Sequence, residues 1–389
     1  MTDTLVDEKK TTKQKVKEYV KALPKRYFIT AFSGMAQGLF VTLIAGTILA
    51  QIAGWIGDNF FGNVLMTIAN IAKMLMGAGI GVGIAHALGK NKLIVFTAAV
   101  TGLIGAFALN IIDGNFVSVF TVGEKSVSFI KFGTPGNPIG SYVATLLTVE
   151  IASLYQGKTK LDIILVPLGM LLLSFGAMYF AWPFIKLIDL FAELLVIAIN
   201  AGTAVKIIVG IFIAVVMGIL LTMPTSSAAI WVAIATSTTA QANPEVFAIA
   251  GGAAVAGCAA HMVGFAVASF RENKWSGLIS QGIGTSMLQI PNIMKKPVIM
   301  VPEIISSIFA GLAAVLLNIR CTPAGGGMGT SGLVGLFGVI DASVGIPTVN
   351  VILGIILCLF VIPAGVTLAV SEFMRKKGWI KFGDMKLPD

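Results

Sequence analysis

Residues 134–167 read TPGNPIGSYVATLLTVEIASLYQGKTKLDIILVP, and this stretch decides the fold. It opens on Thr134-Pro135, breaks again at Gly136 and Asn137-Pro138, and runs through a short apolar arm at 139–155 that carries one carboxylate, Glu150. It then pauses at Gly157 and enters an apolar segment long enough to span a bilayer. The same order returns near the other end. From Thr322 the chain reads TPAGGGMGTSGLVGLFGVIDASVGIPTVNVIL, with a short apolar run, Gly345 and a second spanning-length segment. Two copies of one interrupted unit predict a polytopic membrane protein whose substrate path lies where its halves meet, as in transporters built on broken helices near the midplane.

Composition agrees. Hydrophobic residues make up 56% of the chain and charged ones 12%, with 44 glycines, and the mean hydropathy is +0.92. A soluble domain would carry about 25% charge. About eight apolar runs approach the roughly 20 residues that a hydrocarbon core requires. The net charge of +9 comes largely from the ends: twelve of the first 27 residues are charged, eight of them basic, and RKKGWIK follows from Arg375. These ends read as a topology signal that places both termini in the cytoplasm, not as a nucleic-acid surface. The long basic start also speaks against a cleavable signal peptide. Cys258, Cys321 and Cys358 are unclustered and read as small core residues.

Spans are predicted at about 31–56, 93–112, 161–185, 204–223, 244–270, 298–318 and 346–370, with a short interfacial helix plus a span at 59–89. Residues 186–200 read as an amphipathic connector, and 116–132 alternate apolar and polar residues around Gly123 as a hairpin does. Residues 277–293 have no counterpart in the first half and are expected to lie on the membrane surface or dip into it. Gly77, Ala78, Ala85, His86 and Gly89 recur at identical spacing as Gly252, Ala253, Ala260, His261 and Gly264, which pairs the only two histidines. Gly102-Leu103 leading to Leu109-Asn110-Ile111 is matched by Gly311-Leu312 leading to Leu317-Asn318-Ile319. The expected fold is therefore an all-α polytopic membrane protein with two sequence-related halves, 28–200 and 201–375. Each half would hold about four or five transmembrane helices and a re-entrant hairpin. A small external β-hairpin, a basic segment 1–27 and a tail 376–389 complete the chain. Re-entrant arms would make the halves parallel, which the charge bias favours; fully crossing arms would invert them.

Ionisable groups inside a membrane face a cavity or a partner. Glu150 is the leading candidate: it could hydrogen-bond the hydroxyls of a polar solute, carry a proton, or pair with Lys158 or Lys160. His86 and His261 could bind substrate or take up protons, or could cap the ends of their helices. Asn137, Thr134, Thr322 and Gly325, Gly326 and Gly327 break the helices and would leave backbone N–H groups free for hydroxyls or anions. Glu303 and Arg320 read first as charges paired or solvated at span ends, and Asp341 as an exposed helix end. No Walker motif, metal-ligand spacing or Ser/His/Asp set is present, so no cofactor is called for and the chain on its own is not an enzyme.

GNPIGSYVATLLTVE at 136–150, AGCAAHMVGFAVASFRENKW at 256–275 and CTPAGGGMGTSGLVG at 321–335 resemble the membrane subunits (EIIC) of the phosphoenolpyruvate-dependent phosphotransferase system, in particular the stand-alone, PfoR-type branch. The resemblance covers about residues 28–375. It implies a sugar-permease-like fold in a bacterial plasma membrane, a homodimer, and possible separate EIIA and EIIB partners. It also implies sugar contacts from a glutamate and a histidine, at Glu150 and either His86 or His261. Two departures argue against group translocation with phosphorylation: LLTV precedes Glu150 where sugar-binding members carry a glycine-containing motif, and no EIIB domain is attached. The function expected is an EIIC-like permease that moves a small polar solute, a sugar or an organic anion. The alternative is a membrane-embedded ligand sensor that regulates gene expression.

Overall fold

The computed structural model describes residues 22–114, 117–122, 125–130, 136–223 and 227–387. Thr134 and most of the basic N-terminal segment lie outside them. Among the described residues, six helices are long and apolar enough to cross a membrane, or seven if one bent pair counts as a span. In chain order they begin with α1 (Ala22–Ile56), followed by the bent pair α2 (Phe60–Met74) and α3 (Met76–Ala87), which meet at 52°. Next come α4 (Lys92–Ala106), a two-stranded antiparallel ribbon of β1 (Val117–Val122) and β2 (Lys125–Ile130), and α5 (Pro138–Tyr155). Then follow the spans α6 (Asp162–Asn200) and α7 (Thr203–Thr222), and two short helices, α8 (Ser227–Ala235) and α9 (Thr238–Ala242). The spans α10 (Pro244–Ala268) and α11 (Pro297–Leu316), the short α12 (Val334–Ala342) and the last span α13 (Thr348–Lys376) complete the list.

Side-chain caps set many of the starts. Asn91 accepts from the Ile94 N–H, Asn137 from the Ile139 and Gly140 N–H groups, and Ser237 from that of Ala240. Pro138 and Pro244 occupy first-turn positions where a missing N–H costs nothing. Gly157 and Gly345, the matched pauses of the two interrupted units, both sit in the left-handed region, at φ +83° and +87°.

Close backbone approach holds the bundle together. A methyl group at Gly34 or Gly38 on α1 would strike the Gly83 or Gly79 carbonyl on α3 at 2.4 and 2.2 Å. Across the second half, a methyl at Gly257 on α10 would lie 1.9 Å from the Ala214 carbonyl on α7. Without a hydrophobic drive between helices in lipid, such small-residue contacts are how spans associate.

One expectation needs correction. Residues 186–200 are no separate connector: α6 runs unbroken for 39 residues, about 58 Å. Nothing between Leu187 and Asn200 stops a helix, since neither Gly nor Pro occurs there. The arm at 139–155 lies within one continuous 18-residue helix, Pro138–Tyr155. The C-terminal residues pack against the rest of the chain. Ile380 and Met385 are buried, Asn273 and Gln289 donate to the Met385 carbonyl, and Lys296 contacts Asp384 at 2.6 Å. Arg375 pairs with Glu272, whose side chain is fully buried, so the tail is clamped onto the segment 271–296.

Candidate functional site: two cavities on one septum

Two adjoining cavities lie at one end of the bundle. The first, about 380 Å³, is lined by Thr236, Gln241, Phe247, Cys321, Thr322 and Pro323. The second, about 270 Å³ and far more polar, is lined by Asn110, Asp113, Asn137, Lys186, Thr238 and again Thr236 and Gln241. The shared pair Thr236 and Gln241 joins them. Thus Asn137, which caps the arm of the first interrupted unit, and Thr322, which starts the second, open onto one polar vestibule. Asp189, reaching across from α6, accepts from the Thr238 N–H and hydroxyl at 2.9 Å each and so fixes the turn between α8 and α9.

A third cavity of about 510 Å³ lies at the other end of α8. Its polar lining comes from Ser33 and Gln37 on α1, Ser227, Thr285 and Ser331. The 281–289 segment that forms one wall is held by Thr330 donating to the Gly282 carbonyl and Ser331 to that of Gly284.

Between the cavities stands a thin wall. Residues Ser227 and Ala228 of α8 face the third cavity while Ala235 faces the first. Thr322 and Pro323 likewise line the first, and Met328 and Ser331 the third. Both segments therefore cross from one cavity to the other, and each is about nine or ten residues long. Glycine lets them interlock: a methyl at Gly326 would lie 2.2 Å from Trp231 Nε1 and one at Gly327 2.6 Å from the Ser227 carbonyl, while the second segment folds tightly on itself, a methyl at Gly335 lying 2.0 Å from the Gly329 carbonyl. Ser227 donates to the Gly327 carbonyl at 2.7 Å and locks the pair. The Trp231 side chain is buried, and its indole N–H finds no partner in the wall.

Gly325, Gly326 and Gly327 thus act differently from expectation. The Gly325 and Gly326 N–H groups donate to the Thr322 carbonyl, and the Thr322 hydroxyl accepts from Gly325 as well, so they are not free. At Asn137 the first N–H groups of α5 are used on its own side chain.

The remaining predicted residues lie elsewhere. Glu150, three turns beyond the vestibule on α5, accepts from Arg26 Nε and Nη2 at 2.9 and 2.8 Å and lies 3.6 Å from Lys90 Nζ. Arg26 and Lys90 take the place of the Lys158 or Lys160 partner that sequence proximity had offered. Burial holds Lys90 below the ordinary lysine range although Glu150 opposes it. His86 is exposed near the end of α3, beside an apolar groove with Gln37, Gly38 and Val82. His261 is the reverse: fully buried, seven residues short of the end of α10, and no cap. Its Nδ1 lies 2.8 Å from the Thr222 hydroxyl, which in turn is 3.0 Å from that of Ser286.

Sequence reasoning gave too little weight to Glu303. It is neither paired nor solvated but fully buried in the second turn of α11, and among the described residues neither carboxyl oxygen has a hydrogen-bond partner. Arg320 does pair, with Glu245 at 2.6 Å, and Asp341 is exposed. Thr236, Gln241, Asp113 and Lys186 were missed, although the polar run TSTTAQAN before Pro244 was the available signal for the first two. Among the described residues no three His, Cys, Asp or Glu side chains gather where they could hold a metal ion.

Comparison with known proteins gives one match: the family model described as "Phosphotransferase system, EIIC" covers residues 29–387. The chain therefore belongs to the EIIC family, the membrane permease components of the phosphotransferase system, which work with EIIA and EIIB partners. No curated protein and no solved structure matches significantly.

Proposed function

We propose that this EIIC protein moves a small polar solute across the bacterial plasma membrane by opening the septum to the vestibule and the third cavity in turn. The pair of cavities facing each other across one glycine-packed wall carries this reading, because a carrier needs two separate access routes to one barrier. The vestibule offers three amides (Asn110, Asn137 and Gln241), two hydroxyls (Thr236 and Thr238), one carboxylate (Asp113) and one amine (Lys186). Balanced charge and many hydrogen-bonding groups fit a neutral polyhydroxy compound, a sugar, better than an organic anion. When the wall opens, the unpartnered Trp231 N–H becomes a donor on an aromatic face suited to stacking a sugar ring.

The third cavity lies at the end that carries Arg26, Lys90, Arg271 and Lys296, which the positive-inside rule assigns to the cytoplasm together with both termini. The proposal retains a doubled chain, 28–200 and 201–375, flanked by 1–27 and 376–389 and assembled as a homodimer. Supporting the duplication, each histidine-bearing helix packs through glycine on the long span before it, α3 on α1 and α10 on α7. Glu150 serves in this proposal as a staple between α1, α5 and the Lys90 turn, not as a solute contact. Phosphorylation, if it accompanies uptake, comes from separate EIIA and EIIB proteins.

A thermal-unfolding screen of purified protein against sugars, polyols and carboxylates tests the reading. A true ligand at about 100 times its dissociation constant adds about 2.7 kcal/mol. Gln241→Ala should weaken the best sugar about tenfold, the loss of one net hydrogen bond of about 1.4 kcal/mol, with folding unchanged. Stabilisation by no sugar, or by carboxylates alone, would refute the substrate class.

A further inference from the structure

From the buried groups of the second half we infer a proton site inside the permease: Glu303 takes up and releases one proton, reached from the third cavity through Ser286, Thr222 and His261. This rests on the carrier reading and adds a coupled ion to it.

The geometry has three parts. First, Glu303 is fully enclosed, and among the described residues neither oxygen has a hydrogen-bond partner. A carboxyl so placed is costly as an anion, and in membrane proteins such groups mark ion and proton pathways. Second, it does not stand alone. A methyl at Gly264 on α10 would come within 3.0 Å of Glu303 Cγ and 2.8 Å of Thr367 Oγ1, so the carboxyl and the Thr367 hydroxyl converge on the space that this glycine leaves. The Thr367 hydroxyl is also buried and unpartnered, as is His261 Nε2, one turn before Gly264 on the same helix. Third, a polar chain leads out. His261 Nδ1 contacts Thr222 at 2.8 Å and Thr222 contacts Ser286 at 3.0 Å, while Thr285, beside Ser286, lines the third cavity.

Ligand supply selects the ion. The nearest atoms at Gly264 bring a single hydroxyl, that of Thr367, to the carboxyl, whereas a sodium ion needs several oxygen ligands and a proton only one carboxyl oxygen. Uptake forms one O–H bond at a Glu303 oxygen and release breaks it; no electrons are exchanged.

Other charges on the neighbouring elements are few. On α10 they are His261, Cys258 and, at the far end, Glu245, which is paired with Arg320. On α7 only Lys206 occurs, near its start. On α13 there is buried Cys358; farther along, Glu372 and Arg375 are paired with Arg271 and Glu272, and Lys376 closes the helix. In the approach to α11, Lys295 stands beside Lys296, which is paired with Asp384.

Infrared difference titration of the purified full chain in detergent reads the carboxyl directly, with the proton as the only probe. The wild-type protein should show a protonated-carboxyl stretching band that disappears as the pH is raised, insensitive to replacing sodium by choline. Glu303→Gln should lack it. Thr367→Val, which keeps the carboxyl, should retain the band with a shifted midpoint, so the test survives if the glutamine variant folds poorly. A band unchanged in Glu303→Gln, a band that never titrates, or one displaced by sodium at constant pH would overturn the proton site. Because no solute enters the measurement, its failure is distinct from a failure of the sugar screen.

Discussion

The two interrupted units begin alike and end as different objects. Between Pro138 and Tyr155 the first is an unbroken rod. From Thr322 the second makes one short turn, passes Gly329, Gly332 and Leu333 at positive φ, and resumes as α12. Both open with Thr-Pro and both pause at a left-handed glycine. What separates them is the density of glycine: the rod contains only Gly140, whereas Gly325, Gly326, Gly327, Gly329, Gly332, Gly335 and Gly338 crowd the second. Dense glycine removes helix propensity and permits backbone contact at once. One unit therefore becomes part of the scaffold and the other a wall.

That contrast is easiest to break at its tightest point. Gly335→Ala puts a methyl 2.0 Å from the Gly329 carbonyl and 2.5 Å from Val255 Cγ2, and should cost about 3 kcal/mol or more, read as a large fall in the thermal midpoint. The same change at Gly176 on α6, with no atom within 4 Å, should stabilise by up to about 1 kcal/mol. Equal effects at the two sites would dissolve the distinction between wall and scaffold.

The two glutamates carry the contrast further. Among the described residues Glu150 pairs with Arg26 and Lys90, while Glu303 is sealed without a cation. Glu150→Gln should lower stability by roughly 1 kcal/mol, since Arg26 and Lys90 then face each other without a counter-charge and all three groups are partly exposed. It should leave sugar affinity within about twofold, a change too small to matter against the about 1.4 kcal/mol of a tenfold loss. Abolished binding in a well-folded Glu150→Gln protein would return that residue to the solute path.

The smallest effect belongs to the tail clamp. Burial alone would push Asp384 up, but the Lys296 ammonium and the Lys381 N–H outweigh it and hold the carboxyl below its ordinary value of 3.8. A carboxyl lowered in the folded state stabilises fully above its unfolded value, and that contribution vanishes as the pH falls through the folded one. Asp384→Asn should therefore cost about 0.5 kcal/mol at neutral pH and flatten the acid limb of the stability profile. An unchanged acid limb would mean that the clamp contributes nothing.

Much of this was legible before any coordinates. Apolar runs gave the membrane class and most spans, and Asn-Pro, Thr-Pro and the pauses at Gly157 and Gly345 marked where helices start and stop, because those signals act within a few residues. Environment was not legible. His86 and His261 sit in matched sequence, yet one is open and the other is covered by α7 and by Ser286 from an insertion more than twenty residues downstream. Glu150 looked isolated because its partners Arg26 and Lys90 lie 124 and 60 positions away. Glu303 looked like a span end because Pro297 and Pro302 precede it; only the packing of Gly264 and Thr367 against it shows that it is enclosed. The vestibule was missed for the same reason, since Gln241 and Asn137 meet only in three dimensions.

The central claim, two cavities separated by one wall, can be read from which side a side chain can be reached. The three native cysteines are buried, but Cys321 borders the vestibule, so all three are first replaced. Gln241→Cys and Gln37→Cys are then treated with a membrane-impermeant thiol reagent in right-side-out and inverted vesicles. Labelling of position 241 only from outside and of position 37 only from inside is the predicted result; reaction of both positions from the same face would contradict it.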